Sequence, residues 1–255
     1  MPGEPPDLAT LDRRYHFLLR KLHSLSGVVP IGVFLIEHLL TNSMAFKSPD
    51  EFNEKVRWLH GLPYLLLLEI FGIFLPLAFH ALYGIRIAMT AEPNTSAYPY
   101  MANARYTLQR VTGYIAFVFI IVHLLKFRFA HVVGWGPEFI REGNDYFAIT
   151  REGLLHWRPF GLAVPGALTL SFYVLGLTAS VFHFCNGLWS FCISWGLTVG
   201  AKAQRRVGLG AAALGGVLMI WGLMSLYALA RPSAPTEISV RATPLRPAAA
   251  VPLRQ

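Results

Sequence analysis

Five segments, at residues 22–42, 63–88, 108–127, 162–192 and 207–230, are each long, apolar and almost free of charge. About 20 apolar residues bridge the hydrocarbon core of a bilayer. A helix crosses that core because it satisfies its own backbone hydrogen bonds. The chain is therefore predicted to be all-α, an integral membrane bundle of five transmembrane helices. Composition agrees, since a hydrophobic share of 54%, a charged share of 14% and a mean hydropathy of +0.46 leave too few charges for an ordinary soluble domain. The first segment follows Arg13, Arg14, Arg20 and Lys21 in the manner of a signal peptide, but it lies late and contains Glu37 and His38. It reads as a retained helix.

Three regions follow: an N-terminal segment over 1–21, a membrane domain over 22–230 and a tail over 231–255. Residues 1–12 read as mobile, and the amphipathic stretch from Arg13 to Leu22 as an interfacial lead into the first span. Residues 43–62 read as a charged connection, with Pro63 in the first turn of the second helix. Glu92-Pro93-Asn94 reads as a turn, and 128–161 as the longest extramembrane loop, with room for a short helix. Five prolines and no apolar period predict a disordered tail. The formal charge of +8 does not point to nucleic acid, because the basic residues are scattered over helix ends and loops with no fold motif to organise them. Cys185 and Cys192 lie too far apart on one helix to bond to each other, which argues against a disulfide framework or an iron–sulfur site within the chain. The 22 Lys and Arg residues divide almost evenly between the two sides. The Arg20-Lys21 and Lys202-Arg205-Arg206 clusters stand close to span ends and place the N-terminus in the cytoplasm.

His38, His80, His123 and His183 each lie in a different apolar segment. An ionisable side chain in hydrocarbon is costly enough to imply a task, and an imidazole facing the bundle interior can ligate iron through its unprotonated nitrogen. Four on four helices point to two bis-histidine haems. Helix rise sorts them by depth. His38 lies about 26 Å beyond Lys21 at 1.5 Å per residue, and His123 stands three residues before Lys126, so both are outer and share one haem. His80 is roughly 9 Å before Arg86 and is an inner ligand. His183 is ambiguous by counting, and elimination pairs it with His80. Its alternative, like that of each histidine alone, is a packed polar side chain bonded to a neighbouring helix. His16, His23, His60, His131 and His156 fall in flanks or loops where solvation is the simpler reading. His23 and Ser24 at the inner start of span one, with Gln109 and Arg110 level with them on span three, are candidate contacts for haem propionates.

Arg20-Lys21-Leu22-His23-Ser24-Leu25-Ser26-Gly27, Glu37-His38-Leu39, Phe79-His80-Ala81-Leu82-Tyr83-Gly84, Leu108-Gln109-Arg110-Val111-Thr112-Gly113 and Phe182-His183-Phe184-Cys185-Asn186-Gly187-Leu188-Trp189-Ser190-Phe191 carry a resemblance. The chain resembles the cytochrome b subunit of succinate dehydrogenase and fumarate reductase, of the five-helix, two-haem, single-anchor type, from about residue 13 to 230. The resemblance implies that the four histidines are axial ligands of two haems b, paired as above, with the inner haem nearer the soluble subunits. It also implies a flavoprotein and an iron–sulfur protein as partners, quinone as the membrane substrate with menaquinone favoured, and residence in a bacterial cytoplasmic membrane. Electrons would pass between dicarboxylate, flavin, iron–sulfur clusters, the two haems and quinone. Some relatives carry a basic residue eleven after the last ligand; here that position is Ser194, and a lysine–propionate contact is not carried over.

Quinone reduction consumes protons, so its site needs a titratable group. Glu69 is the candidate, about three turns before His80 and about 16 Å further toward the outer surface. His60 in the adjoining loop is the weaker one. The alternative for Glu69 is an acid stabilised by the helix dipole or paired with an interfacial base. Two rival functions remain in view: the cytochrome b of a hydrogenase or formate dehydrogenase, which the motif block around His183 disfavours, and a transporter with a histidine proton relay, against which stands the lack of an inverted repeat.

Overall fold

The computed structural model describes residues 8–90, 101–136, 143 and 145–231, and among these there is helix and no strand. Of residues 1–12, read as mobile, 1–7 lie outside the described part, whereas 8–12 are helical. The Glu92-Pro93-Asn94 turn and the tail from 232 lie wholly outside it. Five helical runs are long and apolar enough to cross a membrane: Tyr15–Phe46, Leu65–Met89, Asn103–Lys126, Gly166–Ser194 and Ala201–Ala230.

The first span is made of α1 (Leu8–Val28) and α2 (Pro30–Ser43). Pro30 has no N–H to give and interrupts the ladder there. The Val29 and Val33 amides still bond back to the Leu25 and Val29 carbonyls, which keeps the run continuous. The second span joins α4 (Leu65–Leu67), a π-helical turn over Leu68–Phe74 and α5 (Leu75–Met89). Its widened turn ends just before Pro76, which cannot donate to the Gly72 carbonyl four residues back. Spans three, four and five are α6 (Met101–Lys126), α9 (Gly166–Ser194) and α10 (Ala201–Ala230).

Helix α9 is the centre of the bundle, with α6 and α10 packed on it, α2 against α10, and α1 against both α5 and α9. Lipid is as apolar as leucine, so such helices associate by close packing, and small residues at the contacts permit it. At Gly176 of α9 an added Cβ would lie 2.1 Å from the Phe119 ring of α6. One apolar cluster, Leu39, Leu177, Val181, Cys185 and Leu218, fills the bundle. Leu66, Phe71, Leu82 and Val118 stay exposed, as lipid-facing side chains do.

The connections hold more structure than the sequence reading assigned. Residues 43–62, read as a connection, contain a twelve-residue helix, α3 (Pro49–His60). Ser48 caps it by accepting from the Glu51 amide, Pro49 opens it, and Asp50 and Glu51 lie in its first turn, which are recognisable start signals. Pro63 is not in the first turn of the second span. Tyr64 adopts a left-handed backbone (φ 58°) and the helix begins at Leu65. Between spans three and four lie α7 (Ala130–Val133) and α8 (Tyr146–Leu155), with 137–142 and 144 outside the described residues. Phe52, Val56, Tyr146 and Leu154 of α3 and α8 bury against Tyr173, Ala228 and Leu229, so the two short helices form a lid over one end of the bundle.

Asn53 fastens that lid. Its Nδ2 donates to Asp145 Oδ1 at 2.9 Å and its Oδ1 accepts from the Phe147 amide at 2.8 Å, in a buried position. Replacing Asn53 by Leu leaves the Phe147 N–H without an acceptor, an expected loss of about 1–3 kcal/mol. It would be read as a lowered midpoint of thermal unfolding in detergent; an unchanged midpoint would refute the role.

Candidate functional site

The four intramembrane histidines fall into two facing pairs. His38 of α2 and His123 of α6 have ring centroids 5.7 Å apart with planes at 80°. His80 of α5 and His183 of α9 have centroids 6.0 Å apart at 87°. A metal held between two imidazole nitrogens by bonds of about 2 Å puts the ring centroids roughly 6 Å apart, so both pairs have the separation of an axial ligand pair. Among the described residues no group of three or more His, Cys, Asp or Glu side chains could hold a bare ion.

The second nitrogen of each ring decides which atom is free for metal. His80 Nδ1 lies 2.9 Å from the His23 carbonyl of α1, and His183 Nδ1 lies 3.0 Å from the Gln109 carbonyl of α6. A carbonyl can only accept, so Nδ1 carries the proton and Nε2 keeps its lone pair. His123 Nδ1 is 3.3 Å from the Tyr173 hydroxyl of α9. Glycine makes room for the rings: a Cβ at Gly27 would stand 2.4 Å from the His80 imidazole, and one at Gly113 2.9 Å from that of His183.

The residues proposed for propionates gather at the His80/His183 end. His23 stacks flat on His80, centroids 4.1 Å apart and planes at 8°. Ser24 donates to the Lys21 carbonyl and accepts from Trp195 Nε1 at 3.0 Å. Gln109 bonds between helices, donating to the His183 carbonyl and accepting from Asn186 Nδ2. The Arg110 guanidinium lies over the Tyr106 ring at 4.5 Å. At the same end the Ser194 carbonyl accepts from Lys21 Nζ of α1.

At the opposite end Glu69 is held by Arg128 in a two-point ion pair, Nε to Oε1 at 3.1 Å and Nη2 to Oε2 at 2.8 Å. Arg128 is five residues beyond His123, so the pair sits at the His38/His123 end. The paired-base alternative for Glu69 thus describes its resting contact, and the π-helical turn interrupts the period on which a face shared with His80 was reckoned. His60, at the end of α3, is near enough to feel both charges. Burial lowers its pKa from the usual 6.5, the Glu69 carboxylate raises it and Arg128 lowers it. Sequence reading missed Tyr173, Asn186 and Arg128. Asn186 was the most legible, one turn after His183 on the same face; Arg105 Nε also reaches its Oδ1 at 3.1 Å.

The fold and site define a multi-pass helical membrane protein whose interior carries two facing imidazole pairs. No family model matches the chain. Over 189 residues it is 41% identical to the succinate dehydrogenase cytochrome b558 subunit of Bacillus subtilis (strain 168), a match covering 74% of this chain and 85% of that relative. The chain belongs to the succinate dehydrogenase cytochrome b subunit family.

His60 gives a direct test of the polar cluster. Replacing Glu69 by Gln removes the charge that favours its protonated form, so the His60 pKa is expected to fall further below 6.5 in a titration of isotope-labelled imidazole by NMR. A rise would contradict the arrangement.

Proposed function

We propose that this chain anchors a succinate:quinone oxidoreductase in the membrane and holds two haems b, one between His38 and His123 and one between His80 and His183, to connect the complex's iron–sulfur subunit with quinone. The carrying observation is the pair of facing imidazoles, each near 6 Å between centroids, with Nδ1 of His80 and His183 tied to carbonyls of neighbouring helices. When bound, the haem iron supplies one-electron redox chemistry, while burial and hydrogen bonds set its potential. The protein's part is to fix ring orientation through those carbonyls and to exclude water from the bundle. His23, Ser24, Gln109 and Arg110 are the proposed propionate contacts of the inner haem, and the Gln109 carbonyl also orients His183.

The proposed partners are a flavoprotein and an iron–sulfur protein, docked on the side of the His80/His183 pair. That side, where Lys21 and Arg205 lie, is assigned to the cytoplasm, with the N-terminus; the membrane is a bacterial cytoplasmic membrane. The proposed regions are 1–21 as the cytoplasmic lead, 22–230 as the haem-bearing domain and 231–255 as an appended tail. Quinone, with menaquinone favoured, is assigned to the other end, where Glu69 is the proton-exchanging group and His60 a relay behind it. The motivation is the Glu69–Arg128 pair beside the outer histidines, seated on a π-helical turn, a distortion frequent at functional sites.

Two haems are expected per chain, extractable into acidic organic solvent because no Cys-x-x-Cys-His attachment motif is present in the sequence. Replacing His80 or His183 should remove one component of the reduced-minus-oxidised spectrum, and replacing His38 or His123 the other. One haem per chain, or losses that cross the pairs, would reject the assignment. Replacing Glu69 by Gln, which keeps shape without titrating, should abolish quinone-linked turnover while dye-linked turnover and both haems persist; unchanged quinone turnover would remove Glu69 from the proton path.

A further inference from the structure

Lys126 closes α6 and is only 4% exposed. Its Nζ has no hydrogen-bond partner among the described residues. Instead it sits over three ring faces, 4.7 Å from the centroid of Trp157, 4.8 Å from that of Tyr173 and 5.7 Å from that of Phe127. Ring faces offset part of the cost of a desolvated ammonium, but an unpaired buried charge is among the most expensive things a fold can carry. The donors around it are stranded too. Among the described residues Trp157 Nε1 lacks an acceptor, as does Nε1 of Trp135, whose ring meets that of Trp157 at 5.5 Å. Three carboxylates among the described residues of this end are engaged elsewhere: Glu69 by Arg128, Asp145 by Asn53 and the Ala148 amide, Glu152 by His156. Among the described residues, several buried donors meet here without an acceptor.

The position identifies the missing acceptor. Tyr173 faces Lys126 with its ring while its hydroxyl reaches His123 Nδ1 at 3.3 Å, so one side chain separates the ammonium from a ligand imidazole. Along α6, Lys126 lies one turn beyond His123, about 4.5 Å nearer the helix end. A haem held only by axial ligands is an apolar disc whose ionised groups are its two propionate carboxylates, and in a membrane these need cations. Arg128 is neutralised by Glu69, whereas Lys126 is not. We propose that Lys126 and the Trp157 N–H form an oxyanion pocket that receives a propionate of the haem held by His38 and His123. This rests on the assignment of that haem in the preceding section.

The test uses the assembled complex with Lys126→Met and Lys126→Arg, and follows both haems in an optical redox titration. Losing a positive charge beside the outer haem disfavours its reduced form, so Lys126→Met should shift that one-electron equilibrium about tenfold toward the oxidised side, roughly 59 mV for one electron. The His80/His183 haem should hold its potential. With Lys126→Arg, which keeps charge and bulk, carboxylates labelled with carbon-13 in the haem propionates should move in redox-difference infrared spectra, because the donor geometry changes. Both haems present with unshifted potentials and an unmoved carboxylate band would overturn the pocket. A raised KM for quinone with unshifted potentials would also overturn it, assigning the ammonium to quinone. A wild-type complex without a haem at His38/His123 would mark a failure of the underlying assignment rather than of the pocket.

Discussion

The interaction on which the site depends is the hydrogen bond from an intramembrane imidazole to a backbone carbonyl on another helix. Helical carbonyls are normally committed to their own ladder, yet the His23 carbonyl of α1 and the Gln109 carbonyl of α6 each also meet an Nδ1 from a neighbouring helix. Each bond does three things. It satisfies a polar atom that hydrocarbon would leave stranded, selects the tautomer that leaves Nε2 open, and fixes one helix against another. Gly27 and Gly113 follow from it, since a side chain at either place would strike the ring that the carbonyl holds. Glycine beside such a histidine is thus a packing requirement of the bond.

The two ends of the bundle differ in how their polar groups are settled. Around His80 and His183 polar side chains form an interhelical network: Gln109, Asn186 and Arg105 join α6 to α9, and Lys21, Ser24 and Trp195 join α1 to the end of α9. At the His38/His123 end the Glu69–Arg128 pair is partly solvated, with side chains 13% and 26% exposed, and α3 and α8 roof the bundle. One end is therefore held rigid by bonds between helices, while the other keeps its charged pair within reach of water.

The five spans and the four histidines were legible because both are consequences of the bilayer. Spans must be long and apolar, and a histidine inside one is conspicuous. Depth counting paired His38 with His123, and the structure brings those rings together. Helix α3 was missed although its start signals, Ser48-Pro49-Asp50-Glu51, stand in the sequence, because charge and Pro49 made the segment look like a plain connection. Tyr64 was hidden for a different reason: a left-handed tyrosine has no propensity signal, and it moved the start of span two past Pro63. The Glu69–Arg128 contact joins residues 59 apart, and no local pattern encodes such a meeting. Lys126 read as an ordinary flanking base until α8 and the Trp157 loop were seen to cover it.

The π-helical turn over Leu68–Phe74 divides the second span into two parts that answer to different demands. In an unbroken α-helix any one-residue insertion or deletion swings everything beyond it by about 100°, so a ligand such as His80 would lock the whole span against length change. A wide turn holds one residue of slack. Its loss or gain is absorbed where it occurs, as a bellows takes up length between two rigid pipes. A residue gained or lost there would leave His80 in its seat against the His23 carbonyl.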